Sequence, residues 1–115
     1  MLNNITEADH FSGLAIKAIP NETYTRGTRG SVLVEKGAIN EGMNLLFHSM
    51  DFQFVNNATL SSAVYLMLAY FIRGDVNESD KYFQFIRTNE NRLDADERIL
   101  HERSLKKMQR KEIAE

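Results

Sequence analysis

The chain has 115 residues, of which 43% are hydrophobic and 26% charged, and its formal net charge at pH 7 is -2. Such a composition is typical of one globular domain and gives no bulk attraction toward nucleic acid or a membrane surface. The absence of cysteine excludes disulfides and cysteine-ligated metal sites. Pro20 is the one proline and helical spacing dominates, so the sequence predicts a single all-α domain over residues 1–115.

Neither the start of the chain nor its most apolar run is typical of a targeting or membrane segment. Residues 1–10 lack the basic and apolar regions of a signal peptide. The longest apolar run, residues 63–72, is about half the length of a membrane span, so we predict a buried helix and no membrane partner. We expect a cytoplasmic protein, and a periplasmic location stays open because a domain without cysteine suits both compartments.

Three short segments share one pattern and predict joints between helices. They are "NNITEA" at 3–8, "GAINEG" at 37–42 and "GDVNES" at 74–79. Each begins with Asn or Gly, which closes a helix easily in the left-handed conformation, and continues with an apolar residue, an acid and a small residue. The small residue allows a second helix to cross closely. The pattern predicts helices over about 5–19, 22–36, 39–52, 57–73 and 76–88.

A sixth helix is predicted after these five. Asp94 is suited to cap its first turn, and Glu97, three residues later, completes a capping box. The helix is expected to run to about residue 111. Its basic residues alternate with acids and no aromatic residue interleaves with them, so we predict a solvated helix face and no nucleic-acid partner.

The three joints begin at residues 3, 37 and 74, so their starts lie 34 and 37 residues apart. A spacing of this size is typical of a helical repeat protein. "GSVLVEKGAINEGMNLLFHSM" and "LMLAYFIRGDVNESDKYFQFI" each resemble a unit of the tetratricopeptide repeat family, in which two antiparallel helices repeat every 34 residues. The resemblance implies a half repeat at about 3–20, repeats at about 23–54 and 58–90, a C-terminal capping helix at about 93–112, and a short right-handed superhelix. The sequence departs from the family at Arg26, Ala63 and Phe54, where two aromatics and a proline are usual.

The resemblance also implies a function in binding. In this family the first helix of each unit lines a concave groove. By register, the groove would present Tyr24, Gly27, Ser31 and Val34 from one helix, and Ser61, Val64, Leu68 and Phe71 from the next. The lysines and asparagines with which relatives hold a terminal carboxylate are absent at these positions, so the predicted groove is apolar. We expect a protein-interaction module that binds a partner peptide or helix there.

The alternative is a homodimerisation domain with no external ligand. In that case a second copy of the chain would fill the groove, and a missing half repeat or the last helix of the chain is also a possible occupant. Both interpretations predict no catalytic residue, no cofactor and no metal, and therefore a protein that is not an enzyme.

The remaining chemical motifs are explained more simply as structural residues. His10, His48 and His101 lie on three different predicted helices and form no close ligand pair, so we expect partly exposed histidines. The segment "RGTRG" at 26–30 lacks the lysine and hydroxyl residue of a phosphate loop. We therefore expect its last glycine at a helix crossing and its two arginines in solvent.

Overall fold

The computed structural model of the chain describes residues 5–50 and 55–114, and this part is built of helices. The six α-helices are α1 (Ile5–Ala18), α2 (Thr23–Lys36), α3 (Ile39–His48), α4 (Asn57–Ile72), α5 (Val76–Thr88) and α6 (Ala95–Ala114), with a 3-10 turn at Glu90–Arg92. The described residues contain no strand, so the all-α prediction is confirmed. The helix bounds also follow the predicted ranges closely, except that α3 ends at His48, before the predicted end at about 52, because Ser49 caps it. The start of the first joint falls outside the described residues.

The helices pack as successive neighbours around α4. The most extensive contacts join α2 to α3 and α4 to α5, and α1 packs along α2. Helix α4 also contacts α2, α3 and α6. Its residues from Leu60 to Ala69 are almost all buried, which confirms that the apolar run belongs to a core helix. Among the described residues, no helix combines the length and apolar character that crossing a membrane requires.

Glycine closes two of the helices as the joints predicted. Gly37 and Gly74 have φ angles of 92° and 87°, in the left-handed region. The amide of Gly37 donates to the carbonyl of Val34, and the next amide donates to that of Leu33. The same pair of hydrogen bonds recurs at Gly74, where the acceptors are Phe71 and Tyr70. A side chain at either glycine would strain the backbone, so these residues fix where α2 and α4 end.

Small residues lie where the paired helices cross, as predicted. A Cβ atom on Gly30 of α2 would lie 2.9 Å from the carbonyl oxygen of Gly42, and one on Gly42 of α3 would lie 2.8 Å from that of Gly30. At the second crossing the hydroxyl of Ser79 donates to the carbonyl of Met67 at 2.8 Å. Backbone contact between helices is possible only with such small side chains, so the two crossings set the geometry of both helix pairs.

Helix α6 begins at the predicted capping box. The amide of Asp94 donates to Glu97 Oε1 at 2.9 Å, and the amide of Glu97 donates to Asp94 Oδ1 at 2.8 Å. The prediction is confirmed, and the two bonds satisfy amides that a helix start otherwise leaves free. Leu100 and Leu105 then pack against the core around α4, so one face of this charged helix is buried.

The expectation that Arg29 lies in solvent is wrong. Its Nη1 donates to Asp9 Oδ1 at 2.6 Å and to the Ser12 hydroxyl at 3.1 Å. Lys36 Nζ contacts the other oxygen of Asp9 at 2.9 Å. Hydrogen bonds from Lys36 and Arg29 lower the pKa of Asp9 below its ordinary value. The arginine therefore fastens α1 to α2. Arg26 also has partners, since its Nε donates to the Pro20 carbonyl at 2.8 Å.

Candidate functional site

A groove of about 750 Å³ lies between α2, α4 and α6. We call it the α2–α4–α6 groove. It is lined by Tyr24, Gly27, Thr28 and Ser31 of α2, by Asn57, Ser61, Ser62 and Tyr65 of α4, and by Asp94, Asp96, Glu97, Ile99, Leu100 and Arg103 at and after the start of α6. Two of these helices, α2 and α4, are those from which the sequence predicted a binding groove. The third wall is the C-terminal helix.

The structure divides the predicted groove residues into two sets. Tyr24, Gly27, Ser31 and Ser61 line the groove. The other four, which are the large apolar ones, are instead buried and no more than 9% exposed: Val34, Val64, Leu68 and Phe71. This placement corrects the expected lining, and with it the expectation that the groove is wholly apolar.

Val34 is buried with Met43 and Leu46 of α3, and for Val64 and Leu68 the physical reason for the correction is the position of α6. This helix packs on α4, and its side chains Leu100 and Met108 close the apolar clusters to which Val64 and Leu68 belong. The last helix therefore covers much of the apolar surface that the family register assigned to a partner. The strip between α2 and α6, over the small residues of α4, is not covered.

The floor of the groove is made of small side chains whose hydroxyls already have partners. Ser62 shares a hydrogen bond at 2.5 Å with Ser49, the residue that caps α3. Ser31 donates to the carbonyl of Gly27 at 2.8 Å, and Ser61 donates to Glu97 Oε2 at 3.2 Å. Because these hydroxyls are already hydrogen-bonded, a bound chain does not have to supply polar partners for them. The small side chains also allow that chain to approach closely.

Large apolar side chains stand on the two outer helices of the groove. Tyr24, at the start of α2, is 71% exposed, and Ile99, in the second turn of α6, is 63% exposed. Exposed apolar residues scattered singly are normal on a protein surface, but two that line the same groove form a contact surface. Asp94 and Asp96 lie at the end of the groove where α6 begins, and both are exposed.

A buried carboxylate joins the three helices at one side of the groove. Glu35 of α2, whose side chain is 8% exposed, accepts hydrogen bonds from Arg103 Nη2 at 2.7 Å and from the Tyr65 hydroxyl at 3.0 Å. Lys107 Nζ lies 3.4 Å from its other oxygen. These bonds tie α6 to α2 across α4, and therefore fix the width of the groove. No local pattern in the sequence indicates these contacts, because the partners are 30 to 72 residues apart.

Burial raises the pKa of Tyr65 above its ordinary value, and the adjacent Glu35 carboxylate raises it further. The folded protein therefore keeps the phenol protonated at pH values where an unfolded tyrosine, with a pKa of about 10, has lost its proton. Because the folded state then binds more protons than the unfolded state, this contribution to stability is complete below about pH 10 and is lost as the pH rises above it.

We expect the substitution Tyr65→Phe to make the decline of stability above about pH 10 shallower than in the wild type. At pH 8 the variant should be less stable by about 1 kcal/mol, because Glu35 loses a hydrogen-bond donor. Urea denaturation at several pH values measures both effects. The control is Tyr24→Phe, at a side chain 71% exposed, which should follow the wild-type curve. If stability above about pH 10 declined as steeply in Tyr65→Phe as in the wild type, the decline would not come from the Tyr65 phenol.

The histidines lie away from the groove. His10 and His48 are exposed, and His101 is half-buried with its ring stacked on Phe83 at 6.0 Å between centroids. Burial lowers the pKa of His101 below its ordinary value. Within the described part of the chain, no group of histidine and carboxylate side chains is arranged to hold a metal ion.

Comparison of the chain with models of known protein families, with curated proteins and with solved structures found no match. The floor hydroxyls of the α2–α4–α6 groove are bonded within the protein, Tyr24 and Ile99 are exposed on its two outer helices, and one end is acidic. Such an arrangement is suited to the non-covalent binding of an extended or helical segment.

Proposed function

We propose that this protein is a protein-interaction module that binds a short segment of a partner protein in the α2–α4–α6 groove. One observation carries the proposal: Tyr24 and Ile99 are both largely exposed and line the same groove from different helices. Large apolar side chains next to small floor residues provide the anchor contacts on which binding energy in protein interfaces concentrates.

The chemistry of the groove specifies the kind of segment that fits. Apolar side chains of the partner would pack between Tyr24 and Ile99, and its backbone would lie over Gly27 and the serines of α4. The exposed carboxylates of Asp94 and Asp96 favour a lysine or arginine at that end of the segment, since charge complementarity fixes orientation. We therefore propose an apolar segment with a basic residue near one end.

The helix pairs support a repeat architecture for this module. In both α2–α3 and α4–α5, a glycine with positive φ ends the first helix and a small residue lies at the crossing with the second. We propose that these pairs are two tetratricopeptide-like units, with α1 as the second helix of a preceding half unit and α6 as a cap. In this arrangement the groove lies on the first helices of the units, as in the family that the sequence resembles.

The full chain, used as bait for a displayed library of random peptides, tests the proposal. We expect recovered peptides to carry apolar residues and a basic residue, and to bind the Ile99→Glu variant at least about tenfold more weakly, because a carboxylate replaces an anchor contact. The matched control is Val76→Glu, since Val76 is 58% exposed and lies on α5, away from the groove. It should bind the peptides as the wild type does.

Circular dichroism of both variants checks that the fold is retained. Recovery of no peptide, or equal weakening by Ile99→Glu and Val76→Glu, would count against the groove as the binding site.

Peptide binding is also expected to depend on salt. The affinity should fall as the ionic strength rises, and Asp96→Asn should reduce that dependence, because one of the two exposed carboxylates is then neutral.

A further inference from the structure

Helix α1 presents an apolar surface that the proposed groove does not use. Phe11 is 64% exposed and Leu14 is 51% exposed. With Glu7 and Ala18 they follow the spacing of four, three and four residues that places side chains on one face of a helix. We call these four residues the α1 outer face.

The opposite side of α1 is fixed to α2, so the outer face cannot turn inward. Asp9 is paired with Arg29 at 2.6 Å and with Lys36 at 2.9 Å. Ser12, on the same side, is buried and accepts a hydrogen bond from Arg29 at 3.1 Å. These polar contacts determine the rotation of α1 about its axis, and they leave Phe11 and Leu14 in solvent in a single copy of the chain.

We propose that the occupant of the α1 outer face is the same face of a second copy, in an antiparallel two-fold pairing. A two-fold axis between positions 11 and 14 packs Phe11 of each copy against Leu14 of the other. The same axis brings Glu7, in the first turn of one helix, beside Lys17, in the last turn of its partner. Glu7 on the face and Lys17 at its edge make the paired helices self-complementary in charge, and this complementarity is what selects a second copy over another partner.

The charges at the two ends of α1 are available for this pairing. Neither Glu7 nor Lys17 takes part in an ion pair among the described residues, and both are exposed. The two-fold arrangement forms two equivalent Glu7–Lys17 pairs, and it aligns the helix dipoles in opposite directions. Because each copy uses the same face, the contact closes at a dimer and cannot propagate.

The size of the face predicts a weak dimer. A helix of 14 residues is about 21 Å long, and one face of it buries less than the roughly 800 Å² per partner of a standard stable interface. We therefore expect an equilibrium between monomer and dimer that depends on protein concentration, with a dissociation constant on the order of 100 µM.

Sedimentation equilibrium of the full chain at low ionic strength, from about 10 µM to about 1 mM, tests the inference. The mass should rise from the 13.2 kDa of one chain toward twice that value. Phe11→Glu should stay monomeric throughout, because the two-fold axis places the new carboxylates next to each other. Val76→Glu, the matched control on α5, should dimerise as the wild type does. A wild type that is monomeric at 1 mM, or a Phe11→Glu variant that still dimerises, would overturn the proposal.

Charge reversal tests the register of the pairing. Glu7→Lys alone and Lys17→Glu alone should each raise the dissociation constant about fivefold to tenfold, since two attractive pairs become repulsive. The double variant should return it to within about twofold of the wild type. Each single change also places a charge that is unfavourable for the dipole of α1. If the changes acted only by destabilising this helix, their effects on the dissociation constant would add in the double variant. Failure of the double variant to recover the dimer would reject the antiparallel arrangement.

Discussion

The substitution Gly30→Ala is expected to destabilise the protein by about 1 to 3 kcal/mol, because the added methyl overpacks the crossing of α2 and α3. Its Cβ atom would lie 2.9 Å from the carbonyl oxygen of Gly42 and 2.9 Å from Leu46 Cγ. One of these neighbours is backbone, so the two helices would have to separate. The sign of this change in stability is informative, because alanine in place of a helical glycine otherwise stabilises a protein by up to about 1 kcal/mol.

Gly13→Ala is the matched control for this expectation. Gly13 also lies within a helix, but the nearest atoms to its added Cβ would be those of the Arg29 guanidinium, at 3.7 Å and beyond. This is an ordinary contact, so the variant should be more stable than the wild type by about 0.5 to 1 kcal/mol. Urea denaturation of the two variants and the wild type measures both values. Equal stabilisation by the two alanines would mean that α2 and α3 are not in backbone contact.

The helices of this fold could be predicted from sequence because local residues determine where they begin and end. Gly37 and Gly74 adopt positive φ angles, and the hydrogen bonds that close the helices reach back only a few residues. The box of Asp94 and Glu97 spans one turn. A small residue at a fixed distance after each joint then indicates where the next helix crosses. In each case the interacting groups lie no more than 12 residues apart.

The candidate site was predicted only in part, because its geometry depends on contacts between distant residues. Three residues named by the register, Tyr24, Ser31 and Ser61, line the α2–α4–α6 groove. The register could not show that α6 returns to α4, because the ion pair of Glu35 with Arg103, which holds that helix, joins residues 68 positions apart. Helix α4 adds a second difficulty: it is apolar on nearly every side, so its periodicity does not distinguish a core face from a groove face.

The burial of Leu68 leads to the largest effect that we expect of a single substitution. Leu68 is 4% exposed and belongs to the core cluster with Val34 and Leu46. In Leu68→Glu the folded state would have to bury an unpaired carboxylate or protonate it, and it would also lose apolar contacts. The cost exceeds about 4 kcal/mol, which is most of the stability of a domain of this size. We therefore expect loss of the helical circular dichroism signal at 25 °C, or at least a melting temperature far below that of the wild type.

The contrast between Leu68→Glu and Ile99→Glu separates the fold from the binding function. Both place a glutamate on a helix that lines the groove, but only Ile99 is in solvent, at 63% exposure. Ile99→Glu should keep the wild-type melting temperature within a few degrees and lose peptide binding. If Leu68→Glu instead folds normally and loses peptide binding, then α6 does not cover α4 in solution, and the wider apolar groove given by the family register is the binding surface. Leu68 is buried in the core if α6 covers α4, and it is exposed if the wider apolar groove is open. Thermal melts of Leu68→Glu and Ile99→Glu therefore distinguish the two arrangements before any partner is identified.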